Sequence, residues 1–162
     1  MLFTGNHDHV IDEKNRLSLP ASMRNALDPE RDGKGFYVVP GGEGHSLSLY
    51  TERKFLHMAE QFQSEPFADP DLHRFEQVFF GFAERVDMDA SGRIGIPPGH
   101  LQMAGLGREV TVAGVRDHIE IWSRDEFARL KQEGWRNYTE VQRKAREAAQ
   151  KERQSGRTPD HP

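Results

Sequence analysis

The chain of 162 residues carries 26 acidic and 22 basic side chains, which give a formal net charge of -4 at pH 7. Because this balance argues against a wholly basic surface, any contact with nucleic acid must be confined to a local patch. The absence of cysteine excludes disulfides, thiolate zinc sites and thiol catalysis, while short apolar runs and the lack of a secretory signal pattern predict a soluble, cytoplasmic protein.

The first predicted element is a β-hairpin whose turn and return arm are the sequence DEKNRLSLP, residues 12–20. Leu17 and Leu19 alternate with a serine before the closing Pro20, and this period of two is typical of a strand with one buried face. Asn15 tolerates a positive φ, which tight hairpin turns require. The sequence therefore predicts a turn at Asn15 and a half-buried return strand.

A short helix over 21–27, strands over 36–40 and 46–50, and an amphipathic helix are expected to follow. Asp69 and Pro70 then predict the start of a linking helix, as N-cap and first helical residue. Aromatic side chains on the faces of the predicted helices are expected to pack in the core rather than to stack on bases; they are Phe55, Phe62, Phe75, Phe79 and Phe127.

The hairpin recurs 77 residues later as DASGRIGIP, residues 89–97. Asp89, Arg93 and Pro97 repeat the first copy, and Gly92 replaces asparagine in the turn with the other residue type that readily accepts a positive φ. Downstream, SLSLYTERKF is matched by HIEIWSRDEF at an offset of 72. A second short helix over 98–104, strands over 109–113 and 118–122, and a final amphipathic helix are therefore predicted.

An isolated hairpin is only marginally stable in water, so the two copies are expected to interleave. The predicted fold is α+β, with two swapped hairpin repeats forming one pseudo-twofold barrel with flanking helices. The expected divisions are a first repeat over 1–64, a linking helix over 65–80, a second repeat over 81–135 and a polar, partly disordered tail over 136–162.

Pseudo-symmetric packing would bring the turn segments 12–16 (the first tip) and 89–93 (the second tip) to one end of the molecule. Lys14 and Arg16 would then lie near Arg93, and strand-borne arginines can bind phosphate or the acceptor edge of guanine. Asp12 and Asp89 are assigned an orienting role because carboxylates repel phosphates. The alternative is that each D-x-x-x-R is an exposed salt bridge, which contributes about 0–1 kcal/mol.

The segments MLFTGNHDHVIDEKNRLSLPASMR and FFGFAERVDMDASGRIGIP, with their repeat spacing, resemble the MraZ family over roughly residues 1–135. This resemblance implies a duplicated swapped-hairpin fold of the AbrB type and a transcriptional regulator, expected to be a repressor, of the division and cell-wall gene cluster. It also implies a ring-shaped homo-oligomer, associated with the nucleoid, that binds G-rich direct repeats in double-stranded promoter DNA.

The DNA-contact role implied by the resemblance falls on Lys14, Arg16 and Arg93, with Asp12, Asn15, Asp89 and Gly92 shaping the turns. The family commonly has glycine where this chain has Asn15. The second tip has no basic side chain in its Ala90-Ser91 segment, so a smaller contribution to affinity is expected from it.

Two other functions are considered. In HDHVID, His7 and His9 share one face of a strand, an arrangement found in metal sites, but the remaining histidines form no second motif that would complete a catalytic centre. No nucleotide-binding or nucleophile motif is present, and neither enzymatic activity nor a cofactor is predicted. The other alternative is a structural or partner-binding ring module, which the salt dependence of DNA binding would distinguish.

Overall fold

The computed structural model describes residues 1–62 and 69–154. The chain divides into two compact units, Met1–Arg124 and Asp125–Pro162. The strands are β1 (Asn6–Val10), β2 (Arg16–Ser18), β3 (Gly35–Pro40), β4 (Ser46–Thr51), β5 (Glu84–Asp87), β6 (Arg93–Gly95), β7 (Glu109–Val115) and β8 (His118–Ser123). The helices are α1 (Ala21–Asn25), α2 (Pro29–Asp32), α3 (Glu52–Gln61), α4 (Pro70–Gly81), α5 (Pro98–Met103), α6 (Arg124–Arg136) and α7 (Tyr138–Gln154).

The first unit contains an antiparallel six-stranded sheet in the order β1-β7-β8-β4-β3-β5. Each outer strand pairs with a strand of the other repeat: β1 of the first repeat pairs with β7 of the second, and β5 of the second repeat pairs with β3 of the first. The two repeats also meet in the middle, where β4 pairs with β8. Neither half of the sheet is therefore complete without strands from both copies.

The return arms of the two hairpins exchange in the same way, because β2 pairs with β6 in a separate two-stranded sheet, the central ribbon. Beyond the ribbon, the amide of Leu19 donates to the carbonyl of Gly92 at 3.0 Å and that of Ile96 to the carbonyl of Asn15 at 2.8 Å. Each turn is thus hydrogen-bonded to the strand that leaves the other turn.

The registers show the pseudo-twofold relation between the repeats. Leu17 lies opposite Ile94 in the ribbon, and these residues are equivalent at the offset of 77. Ser48 lies opposite Glu120 in the large sheet, and these are equivalent at the offset of 72. A pseudo-twofold axis therefore passes through both residue pairs.

The expected barrel is corrected by the sheet topology. Among the described residues the six-stranded sheet is open, with β1 and β5 at its ends. The physical reason lies in the return arms: β2 and β6 use their backbone groups on each other instead of bridging the two edges of the large sheet. The fold is a mixed α and β structure with a large antiparallel sheet, but the sheet does not close.

One hydrophobic core contains side chains from both repeats. The return arms contribute Leu17, Leu19, Ile94 and Ile96, each at most 2% exposed. The intervening residues of the ribbon point to solvent, as the period of two requires. Burial of alternate residues therefore fixes the ribbon against the core and decides which side chains the ribbon presents outward.

The predicted start of α4 is confirmed, whereas the predicted burial of the helical aromatic side chains is confirmed only in part. Asp69 caps α4 by accepting a hydrogen bond from the amide of Asp71 at 2.9 Å, which confirms the predicted start. Phe55 of α3 is buried as expected, but Phe75 of α4 is 46% exposed. The prediction for Phe75 was wrong, because its ring packs against the rings of Phe62, which follows α3, and Phe79 of α4, and not beneath the sheet. Phe62, Phe79 and Phe127 are half-buried.

The described part of the second unit is helical. α7 continues to Gln154, and Arg143 forms ion pairs with Glu140 and Glu147 along its surface. The expected disordered end of the tail includes residues 155–162, which lie outside the described part of the chain. Within the described residues, no helix combines the length and the apolar character that crossing a membrane would demand.

Candidate nucleic-acid interface

The first tip is organised around the carboxylate of Asp12. Its Oδ1 accepts hydrogen bonds from the amides of Lys14 and Arg16 at 2.8 and 2.9 Å. Its Oδ2 accepts from Nε of Arg16 at 2.8 Å. The D-x-x-x-R spacing therefore lets one side chain close the turn and hold the guanidinium of the residue that ends it.

The second tip repeats this geometry around Asp89. Oδ1 accepts from the amides of Ser91 and Arg93 at 2.9 and 3.0 Å, and Oδ2 accepts from Nε of Arg93 at 2.9 Å. Nη2 of Arg93 also lies 2.9 Å from the same carboxylate. In the first tip the ion pair joins Asp12 to Nε of Arg16 at 2.8 Å.

The electrostatics of the two carboxylates match. The pKa of Asp12 and the pKa of Asp89 are both lowered, chiefly by the backbone amide of the arginine four residues on; desolvation opposes this effect, and the side chain of the same arginine adds to it. Both aspartates are therefore ionised at neutral pH. Such a carboxylate favours an orienting role, because its charge is already satisfied by the turn and by its arginine.

The turn residues have the backbone conformation that the sequence predicts. Asn15 has a φ of 56° and Gly92 a φ of 76°. A β-carbon at Gly92 would also lie 2.4 Å from Cδ of Arg24, a residue of α1 in the other repeat. Sequence reasoning missed Arg24, because at the offset of 77 its counterpart is the apolar Leu101 and the repeat gives no signal for it.

The ribbon register brings the two arginines to one surface. Arg16 lies opposite Gly95 and Arg93 opposite Ser18, so the arginines are diagonal neighbours across the Leu17 and Ile94 pair. Residues in that relation share a face and lie about 7–8 Å apart. Since the Leu17 and Ile94 side chains point into the core, both arginines lie on the outward face of the ribbon.

Lys14 adds an exposed cation at the first tip. Of the ion pairs found within the described residues, none includes Lys14. The side chains of Arg16 and Arg93 remain 36% and 34% exposed beside their aspartates. The tips therefore present the cationic side chains of Lys14, Arg16 and Arg93, together with the carboxylates of Asp12 and Asp89 and the exposed Glu13.

The histidine pair proposed as a metal alternative lies on β1, at an edge of the large sheet. Burial, followed by the nearby His7, lowers the pKa of His9. Asp8, between them in sequence, accepts a hydrogen bond from the hydroxyl of Thr111 at 2.7 Å. In residues 1–62 and 69–154, no three His, Asp or Glu side chains are grouped so that they could hold a metal ion.

Comparison with known families adds to this geometry. A family model described as "MraZ protein, putative antitoxin-like" matches residues 2–78 and again residues 79–155. The second match begins 77 residues after the first, which is the offset that relates the two tips. The duplication seen in the sequence is therefore a duplication of the whole matched unit.

Curated relatives match over most of the chain. A protein named Transcriptional regulator MraZ from Thermomicrobium roseum is 37% identical over 127 residues, which cover 78% of this chain and 85% of the relative. Proteins of the same name from Heliobacterium modesticaldum and Moorella thermoacetica are 31% and 33% identical, covering 88% and 78% of this chain and 96% and 84% of their own lengths.

These relatives define the class of the protein, which is a transcriptional regulator and not an enzyme. Both repeats match the family model, and together the two matches span residues 2–155. The chain belongs to the MraZ family.

Proposed function

We propose that the protein is a sequence-specific DNA-binding regulator that reads promoter DNA with the outward face of the central ribbon. The observation that carries this proposal is the placement of Arg16 and Arg93 as diagonal neighbours on that face. Each arginine is oriented by its own aspartate, and Lys14 lies beside the first of them. The arrangement offers two oriented guanidinium groups on one face of the ribbon.

The dimensions of a two-stranded ribbon suit the major groove of DNA, where guanine presents two acceptors to an arginine. Asp12 accepts a hydrogen bond from Nε of Arg16, and Asp89 accepts one from Nε of Arg93, so each aspartate orients its own guanidinium. The first turn also carries the cation Lys14, whereas the corresponding Ala90-Ser91 segment of the second turn is uncharged. We therefore assign the main base-reading role to Arg16 and a supporting role to Arg93 and Lys14.

The finer parts of the proposal rest on the family resemblance. We propose repression of the division and cell-wall gene cluster, binding to G-rich direct repeats in double-stranded DNA, and association with the nucleoid. We also propose a ring-shaped homo-oligomer, because a protomer with few basic tip residues gains affinity when linked copies bind adjacent repeats. The divisions at 1–64, 65–80, 81–135 and 136–162 remain part of this proposal.

A second candidate function is a structural or partner-binding ring module without DNA recognition. The observation that favours it is the exposed apolar side of α4, where Phe75 and Val78 are each 46% exposed and Leu72 is 38% exposed. Exposed apolar groups of this kind are typical of protein contacts. In that case the tips would make contacts between subunits instead of contacts with DNA.

The experiment that separates these functions is a titration of the full chain against a duplex from upstream of its own gene and against a scrambled duplex, at several salt concentrations. The proposed function predicts tighter binding to the promoter duplex and a steep loss of affinity with added salt, because phosphate contacts release counterions. Equal, weak and salt-insensitive binding to both duplexes would support the partner-binding module.

A further inference from the structure

We propose that Arg24 supplies the second tip with the basic companion that its own sequence lacks, as a contact to the DNA phosphates. This inference rests on the proposed DNA-binding function and extends it to a residue outside both D-x-x-x-R motifs. In the first tip, the companion of Arg16 is Lys14 from the same turn. In the second tip, the corresponding segment is Ala90-Ser91, which carries no charge.

The side chain of Arg24 lies directly on the second turn. A β-carbon at Gly92 would be 2.4 Å from Cδ, 2.7 Å from Nη1 and 2.8 Å from Nε of Arg24. Such distances are shorter than real side chains allow, so the guanidinium occupies the space that a side chain at position 92 would need. Glycine at this turn therefore serves the approach of Arg24 as well as the positive φ.

The position of Arg24 is fixed by the exchange of the return arms. Its Nε donates to the carbonyl of Leu19 at 3.1 Å. The amide of the same Leu19 donates to the carbonyl of Gly92 at 3.0 Å. One peptide of the first repeat therefore ties both the second turn and the Arg24 guanidinium into a single arrangement.

The charge of Arg24 is not neutralised within the described residues, since the ion pairs found there do not include it. Arg16 and Arg93 each face an aspartate, whereas Arg24 contacts a backbone carbonyl and a glycine. A half-buried guanidinium with a neutral partner keeps its full charge for an anion. A DNA phosphate approaching the second tip is an anion of suitable geometry, because arginine binds phosphate through two parallel hydrogen bonds.

The first tip shows why the arrangement is not symmetric. The position equivalent to Arg24 is Leu101, whose side chain packs against the hydrophobic core. There the turn residue is Asn15, a residue with a side chain, and the cation comes from Lys14. Each tip therefore contains one aspartate-held arginine and one cation without a carboxylate partner, but the second tip takes that cation from the other repeat.

The test compares Arg24→Gln, Arg24→Lys and the control Arg116→Gln, which removes the same charge at the β7–β8 turn, outside both tips. Each full-length variant is titrated against promoter and scrambled duplexes over a range of salt. Arg24→Gln should weaken binding to both duplexes by a similar factor and reduce the salt slope by about 0.9 for each subunit in contact. Arg24→Lys should restore most of the slope, and Arg116→Gln should behave as wild type.

Three results would overturn the proposal. If wild type binds the promoter but Arg24→Gln keeps the wild-type slope and affinity, Arg24 only packs on the turn and the proposed function stands without it. If Arg24→Lys loses as much as Arg24→Gln, shape and not charge is what matters at this position. If wild type itself shows no salt-dependent DNA binding, the proposed function fails together with this inference.

Discussion

The two tips share their carboxylate geometry and differ in how they acquire a second cation. Corresponding hydrogen bonds to Asp12 and Asp89 agree within 0.1 Å, at 2.9 against 3.0 Å for the arginine amide and 2.8 against 2.9 Å for Nε. The first tip carries Lys14 in its own turn, whereas Arg24 of the other repeat lies on the second. The comparison teaches that the aspartate and arginine define the shape of the tip, while its charge can come from either repeat.

Arg16→Ala is expected to have the largest effect on this comparison. The substitution removes the guanidinium of the tip that also carries Lys14, and a good bidentate contact to a base contributes about 1–3 kcal/mol of discrimination. Because each subunit of the proposed ring would repeat the loss, specific binding should disappear. The measurement is a titration of promoter against scrambled duplex by fluorescence anisotropy.

Circular dichroism and light scattering provide the controls for Arg16→Ala, since fold and assembly should match wild type. Asp12 loses its partner but keeps the two backbone hydrogen bonds that close the turn. Wild-type discrimination in this variant would show that the first tip does not read DNA.

Arg93→Ala should weaken binding less than Arg16→Ala. The turn of Arg93 contains no second cation of its own, and Arg24 remains at the second tip after the substitution. Discrimination should fall by less than the ~1–3 kcal/mol of a full base contact. The same titration ranks the two variants, and equal losses would contradict the difference drawn between the tips.

Substitutions at the two turn residues should differ in their effect on the free energy of unfolding. Gly92→Ala forces a β-carbon into a left-handed conformation, at a cost of about 1–2 kcal/mol, and against the Arg24 side chain. Asn15→Gly retains a residue suited to positive φ and should change stability by less than about 1 kcal/mol. Thermal unfolding measures both, and a Gly92→Ala protein as stable as Asn15→Gly would show that the second turn does not require the left-handed conformation at position 92.

The aspartates of the two tips should respond alike to acid. The pKa of Asp12 and the pKa of Asp89 are lowered in the folded protein, mainly by the amide of the following arginine. Their contribution to stability is therefore present at neutral pH and is lost as the pH falls through the lowered pKa values. Carbon-detected NMR of the side-chain carboxyls should give two low and similar values, and an unshifted value at one tip would show that its turn opens in solution.

Removal of residues 143–162 should change neither tip. Most of the side chains in this segment are polar or charged, and the described part of α7 contains no buried residue. The footprint of the shortened protein should match that of the full chain. A lost footprint with assembly intact would assign a role in DNA binding to the C-terminal helix.

Features that depend on a few neighbouring residues could be predicted from the sequence. The turns at Asn15 and Gly92 follow from residues that accept positive φ, and the start of α4 follows from Asp69 and Pro70. The interleaving of the hairpins could be expected because a lone hairpin is unstable. Whether the sheet closes into a barrel could not be predicted from local sequence, because closure depends on whether the edge strands β1 and β5 pair with other strands.

Two further features depend on contacts between segments that are distant in sequence. The periodicity of the sequence does not predict such contacts. The spacing of Phe75 shows that α4 is amphipathic but not whether anything covers its apolar side. Arg24 reads as an ordinary charge on a short helix, and its contact with Gly92 exists only because the return arms exchange. For the site itself, the repeated motif identifies the arginines and their aspartates, whereas their common face follows only from the register of the ribbon.

The most direct test of the central claim, that the outward face of the ribbon reads promoter DNA, is a footprint of the purified full chain on DNA upstream of its own gene, run beside Arg16→Ala. Wild type should protect only regularly spaced repeats, and Arg16→Ala should give no such protection at the same concentration. Identical protection by both proteins, or protection without regular spacing, would contradict it.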